Sequence, residues 1–293
     1  MTKPDQTGRD KFVKHEFLKS SHMSQVSTLP KLDSTYAISA QQQAEYQKNG
    51  HILLRNILSE EEMTVYREVI VDAADRYNTE KRKMEERDTY GKAFLQIMNL
   101  WEVDEAVRQY TLAKRFAKIA ADLMGVERVR LYHDQALFKE PSGGHTPWHQ
   151  DQYYWPIDTD NTITMWMPLV DITVEMGMLT FASGSKELGF LGNLAISDDS
   201  EELLGNLVKE KGYPISQPAT MKAGDATFHA GWTLHSAPGN NSATMREVMT
   251  IIFMADGARV TAPKNQHQEA DLKRWLMAKP VGSLIDSPLN PLI

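Results

Sequence analysis

The apolar positions change period part-way along the chain. Up to about residue 125 they recur at helical spacing; beyond it they fall into short runs separated by Gly, Pro and Asn. Residues 38–50 read as a polar, Gln-rich helix, followed after Gly50 by a short apolar strand from His51 to Arg55. Ser59 and Glu62 have the spacing of a capping box, which predicts a helix to about Tyr77 burying Met63, Tyr66, Val69 and Ile70. Residues 78–92 are charged and read as loop or frayed helix, and residues 93–101 as strand or turn. Asp104 opens another helix that Gly125 closes, with Val107, Leu112, Phe116, Ile119 and Leu123 as its core stripe.

The second half predicts strands at 128–138, 148–155, 162–170, 178–181, 226–229 and 246–254, with a short run at 220–222. Several short strands with turn residues between them predict a mainly β fold with flanking α-helices: a sandwich, barrel or jelly roll. Residues 186–218 interrupt the strands with an acidic helical insertion, read either as a solvated surface helix or as a lid. Residues 1–35 are polar and aperiodic, a flexible N-terminal arm; residues 36–293 are expected to form one domain, ending in a tail with a helix near 272–277.

Composition narrows the partners. The net charge is −7, without a long basic block, so neither nucleic acid nor an anionic membrane surface is expected. No apolar run reaches the length of a membrane span, and no signal-peptide core is visible. The chain has no cysteine, which excludes disulfides, thiolate catalysis, Cys-ligated zinc and iron–sulfur clusters, and fits a cytoplasmic protein. The oligomeric state is not legible.

The chemistry concentrates at Trp148-His149-Gln150-Asp151, after the turn-rich run Pro141-Ser142-Gly143-Gly144. On a strand, His149 and Asp151 face the same way. With a third donor they make the two-His, one-carboxylate set of non-haem Fe(II) oxygenases. His235 is the preferred third donor and His229 its rival. A buried His hydrogen-bonded to Asp is the plain alternative, because His-X-Asp occurs often by chance. Arg246 enters an apolar strand, which costs free energy unless the guanidinium is paired. A small dicarboxylate lying between a metal and Arg246 would satisfy both ends. Tyr153 continues the 149/151 alternation and is expected to face the pocket, although the aromatic run 153–155 also suits a core. His133 and His145 are expected near the site or in loops, and Lys139 as a local structural anchor.

The ordered set His149-Gln150-Asp151, Trp155-Pro156, Gly224-Asp225, His235 and Arg246 resembles the phytanoyl-CoA dioxygenase family of Fe(II)/2-oxoglutarate oxygenases, over roughly residues 40–256. The resemblance implies a double-stranded β-helix, the cupin-like jelly roll. It implies Fe(II) held by His149, Asp151 and His235, and 2-oxoglutarate whose distal carboxylate pairs with Arg246. It also implies O2 as oxidant, with Gln135, Trp166 and Gln96 lining the co-substrate. The family often has a hydroxyl residue two after the distal histidine; here that position is Ala237, and the adjacent Ser236 becomes the candidate contact. Related halogenases carry a small residue where Asp151 stands, so oxygenation is expected. The substrate is expected to be a small metabolite or natural-product intermediate, most simply hydroxylated with release of succinate and CO2. The competing readings are an idle jelly-roll binding module and a zinc hydrolase.

Overall fold

The computed structural model describes residues 29–293. The expected N-terminal arm lies, over residues 1–28, outside the described residues, and the account below concerns the unit Leu32–Ile293. The first half is helical. The Gln-rich stretch forms α1 (Ala40–Asn49), opened by a Ser39–Gln42 capping box and closed by Gly50 at φ 76°. A side chain at Gly50 would be strained by that φ and would meet Thr233 Oγ1 at 2.5 Å. β1 (His51–Leu54) follows. The Ser59–Glu62 capping box opens α2 (Glu60–Tyr77), which buries Met63, Tyr66 and Ile70 but only half-buries Val69.

After an irregular charged stretch come α3 (Thr89–Ala93) and β2 (Leu95–Met98). The continuous helix expected from Asp104 to Gly125 is instead broken. The chain forms α4 (Leu100–Val103), α5 (Glu105–Thr111) and α6 (Lys114–Met124), with Ala113 extended at φ −63°, ψ 124°. The break lets α5 pack on α2 while α6 packs on α1 and the sheet, which one straight helix could not reach together.

The second half supplies most of the sheet residues: β3 (Val129–Phe138), β4 (Thr146–His149), β5 (Thr162–Pro168), β6 (Ile172–Thr173), β7 (Thr180–Ala182), β8 (Ile215–Ser216), β9 (Thr220–Met221), β10 (Ala226–Ala230), β11 (His235–Ala237) and β12 (Val248–Ala255). A six-stranded sheet runs β1-β10-β5-β12-β3-β2, and a four-stranded one β4-β11-β7-β8, every pairing antiparallel. Trp166 and Val248 of the larger sheet pack with Phe181 and Ala237 of the smaller one in a shared apolar cluster. The two sheets with their flanking helices form a jelly roll, one of the architectures the strand pattern left open and the one the family resemblance implied. The expected strand 148–155 is not one: β4 stops at His149 and Asp151–Tyr154 is a 3₁₀ turn. The helix in the insertion is α7 (Asp198–Lys211), packed on β4, with Glu201 Oε2 accepting from the Trp148 N–H at 2.9 Å. The tail helix is α8 (Gln266–Arg274), earlier than expected. Among the described residues no helix is long and apolar enough to cross a membrane.

Asp134 on β3 ties the helices to the larger sheet. Its fully buried carboxylate accepts from the Leu100 N–H at 2.9 Å, the Trp101 N–H at 3.2 Å and Thr111 Oγ1 at 2.8 Å. It therefore caps α4 and anchors the end of α5. Asp134→Ala strands three buried donors and is expected to lower unfolding stability by about 2–4 kcal/mol in a denaturant titration. A midpoint unchanged from the parent protein would contradict this role.

Candidate active site

β4 and β11 pair so that His149 lies directly opposite His235. Opposed residues in an antiparallel pair share a face at short range, and the two imidazole centroids are 4.1 Å apart. Each ring is fixed from behind. His149 Nδ1 lies 2.7 Å from the Pro147 carbonyl and His235 Nδ1 2.9 Å from the Thr233 carbonyl. A carbonyl can only accept, so both rings carry their proton on Nδ1 and present the Nε2 lone pair forward. The two Nε2 atoms lie 3.4 and 3.5 Å from one oxygen, Asp151 Oδ1. One donor atom from each of His149, Asp151 and His235 falls within 4.8 Å of the others.

Asp151 joins them by a route that simple alternation did not foresee. It opens the 3₁₀ turn just past β4. In such a turn residues three apart share a side, so Tyr154, and not Tyr153, follows Asp151 into the cavity. The second carboxylate oxygen is held by the larger sheet: Asp151 Oδ2 accepts from Thr164 Oγ1 at 2.8 Å and from His229 Nε2 at 3.1 Å. Thr164 and His229 are themselves register partners on β5 and β10. His229 thus braces the carboxylate from the far side of the donor cluster. Burial pushes the Asp151 carboxyl up, but the surrounding imidazoles of His235, His149 and His229 outweigh it and hold it well below the usual range. Burial beside His149 holds His235 well below its usual value. The resulting set, one anionic oxygen and two neutral nitrogens on buried, oriented side chains, fits a divalent first-row metal with positions left over.

The same cavity, about 320 Å³, contains Arg246. Its side chain is 2% exposed, its Nη1 donates to the Gly177 carbonyl at 2.6 Å, and its guanidinium lies 5.2 Å from the centre of the Trp166 ring. Its Nε has no partner among the described residues, and no carboxylate pairs with it there. Burial lowers it to about 9. Lys139 is fully buried beside it, donating to the Gly144 carbonyl, and is lowered to about 6 by burial and by Arg246. By contrast, Arg115 and Arg87, also buried, are paired with Glu62 and Glu140. An unpaired buried guanidinium facing a cavity fits an incoming carboxylate.

Gln96, Gln135 and Trp166 all line this cavity, with Gln96 Nε2 donating to Gln135 Oε1 at 2.6 Å. Ser236 does not: His235 and Ala237 line it, and strand alternation sends the residue between them to the other face. A hydroxyl is supplied instead by Thr250 on β12, a wall residue that the sequence reading missed. Tyr153 also turns away; its ring packs 4.9 Å from Tyr154. His133 lines the cavity from β3, whereas His145 is exposed. Thr164 and Asp271 were not singled out either. A lone Thr in a strand and an Asp in a polar tail helix carry no signal until the fold brings them to the cavity.

The chain resembles known proteins over most of its length. It is 24% identical over 234 residues to a probable alpha-ketoglutarate-dependent hypophosphite dioxygenase of Stutzerimonas stutzeri, covering 75% of this chain and 79% of that one. It is 22% identical over 243 residues to a probable phytanoyl-CoA dioxygenase of Caenorhabditis elegans, covering 75% and 76%. Among solved structures it shares the fold of SnoK, a non-heme alpha ketoglutarate dependent carbocyclase from nogalamycin biosynthesis, with a TM-score of 0.72 at 22% identity, covering 89% of this chain and 99% of that one. It likewise shares the fold of EctD from S. alaskensis, solved with 2-oxoglutarate and 5-hydroxyectoine, with a TM-score of 0.61 at 19% identity, covering 82% and 89%. A sequence model described as phytanoyl-CoA dioxygenase matches residues 46–248, more than half of the sequence and the whole of the His149–Asp151–His235 cluster, and the chain therefore belongs to the phytanoyl-CoA dioxygenase family.

Proposed function

We propose that this protein is an Fe(II)- and 2-oxoglutarate-dependent dioxygenase that hydroxylates a small metabolite or natural-product intermediate. The observation that carries the reading is the pairing, in one cavity, of the His149–Asp151–His235 donor set with a buried Arg246 guanidinium that has no carboxylate partner among the described residues. When bound, Fe(II) supplies the redox chemistry by which 2-oxoglutarate and O2 are converted to succinate and CO2 while one oxygen atom enters a substrate C–H bond.

The chain's own residues then have distinct tasks. His149 and His235 offer Nε2 lone pairs, and their Nδ1–H bonds to backbone carbonyls keep those lone pairs aimed. Asp151 supplies the charge, one oxygen toward the donor cluster and the other steadied by Thr164 and His229. Arg246 pairs with the distal carboxylate of 2-oxoglutarate, with the Trp166 indole beside its guanidinium. Gln135, Gln96 and Thr250 offer polar contacts along the co-substrate. The inserted segment closes one side of the cavity, where Ile196 lines the wall and its N–H donates to Tyr154 Oη at 2.9 Å. The acidic chain and the small cavity suit a compact substrate better than a large polyanionic thioester.

Three outcomes test this. Protein stripped with a chelator should convert no 2-oxoglutarate to succinate; Fe(II) with O2 should restore conversion, and Zn(II) should not. Activity with Zn(II), or without O2, would point to hydrolysis instead. Arg246→Gln should weaken 2-oxoglutarate binding by about 10²-fold, the loss typical of one partner of a buried charge pair. Retention of parental affinity would remove Arg246 from the co-substrate site. His229→Ala should weaken Fe(II) affinity by about 10–100-fold while the fold stays intact, as expected for a residue that orients a ligating carboxylate. Complete loss of binding would make His229 a ligand, and no change would make it a spectator.

A further inference from the structure

One wall of the cavity takes no part in the chemistry above. It is built from α8 and from the His133 position of β3. Asp271 on α8 lines it, and one carboxylate oxygen accepts from Tyr132 Oη at 2.9 Å, the sole hydrogen bond to that carboxylate among the described residues. Arg274, one turn further on, lies with its guanidinium 4.5 Å from the centre of the Trp275 ring and makes no ion pair with Asp271 among the described residues. His133, 4% exposed, lines the same wall with its ring 5.5 Å from that of Trp275, and its Nδ1 has no partner. Tyr90, Tyr154, Trp155 and Trp275 enclose the space beside these groups.

A largely buried carboxylate held by one neutral hydroxyl, with the Arg274 charge near but not in contact, is incompletely compensated in the protein alone. A protonated nitrogen would supply the missing charge-assisted hydrogen bond. Aromatic faces around it attract the same cation through their negative π surfaces. Arg246 belongs to the co-substrate end, and Arg274, which also lines the cavity, is exposed and lies against the Trp275 ring without pairing with Asp271 among the described residues. Burial also lifts the Asp271 carboxyl to about 7, a strain that a docked cation relieves.

We propose that this wall is the substrate subsite, and that the substrate is a small metabolite bearing a protonated basic nitrogen, paired with Asp271 and enclosed by Tyr90, Tyr154, Trp155 and Trp275. The inference rests on the oxygenase reading for what becomes of the bound molecule, and on this wall alone for where and why it binds.

The test uses three probes of one size: benzylamine, benzyl alcohol and benzoate. Each is measured by equilibrium dialysis at neutral pH, against the protein alone and against the protein loaded with Fe(II) and 2-oxoglutarate under nitrogen. Benzylamine should bind at least about tenfold tighter than the alcohol, the factor corresponding to one good interaction, with benzoate weakest. Asp271→Asn should abolish the preference and Asp271→Glu should keep it. The proposal is overturned if benzylamine fails to bind, if the alcohol or benzoate binds as well, or if Asp271→Asn retains the preference. The parent protein's amine preference decides the matter even should a variant misfold. Failure to take up Fe(II) and 2-oxoglutarate would sink the oxygenase reading alone, because the amine preference is also scored without them.

Discussion

A slip of β11 by one residue against β4 would turn His235 out of the cavity and bring Ser236 in, since side chains alternate along a strand. The register that sets His149 opposite His235 is therefore the constraint on which the site stands. The smaller sheet contributes both imidazoles. The larger sheet contributes the Thr164–His229 pair that grips the far oxygen of Asp151. A carboxylate buried between two sheets is costly, and its cost is offset by the Thr164 and His229 hydrogen bonds from the larger one. The same arrangement makes the site sensitive to sheet packing, because neither sheet alone fixes the three donors.

Charge balance explains the rest of the cavity. Of the four buried lysine and arginine side chains among the described residues, two are neutralised within the protein, Arg115 by Glu62 and Arg87 by Glu140. Arg246 and Lys139 lie side by side without an acidic partner among the described residues, and burial lowers both. Asp271, in the same cavity, is a carboxylate lifted by burial and supported by one hydroxyl. Arg246 beside Trp166 thus lacks a carboxylate partner among the described residues, and Asp271 a cationic hydrogen-bond partner. Ligands that supply the complementary charges bind with the protein already organised around them.

Much of this was legible in the sequence, for identifiable reasons. Capping boxes at Ser59–Glu62 and the glycine stop at Gly50 are local devices, so α2 and the end of α1 fell where their residues placed them. The change from helical to short β periodicity announced the architecture. His149 and Asp151 stood out by their two-residue spacing, Arg246 by entering an apolar strand, and His235 by its spacing to Arg246 in the family resemblance. What failed was anything set by tertiary packing. The break at Ala113 depends on which neighbours α5 and α6 reach, and the 3₁₀ turn after His149 replaced an expected strand, exchanging Tyr153 for Tyr154 at the cavity. Ser236 was excluded by strand alternation once β11 was in place. Thr164, Thr250 and Asp271 acquire their roles through contacts far away in sequence, which composition and spacing do not encode.

The most direct measurement is an anaerobic titration of the metal-free protein with Fe(II) in the presence of 2-oxoglutarate, followed by visible absorption. The account predicts a metal-to-ligand charge-transfer band that saturates at one Fe(II) per chain and is absent from His235→Ala. A band that persists in His235→Ala, or no band at any Fe(II) ratio, would contradict it.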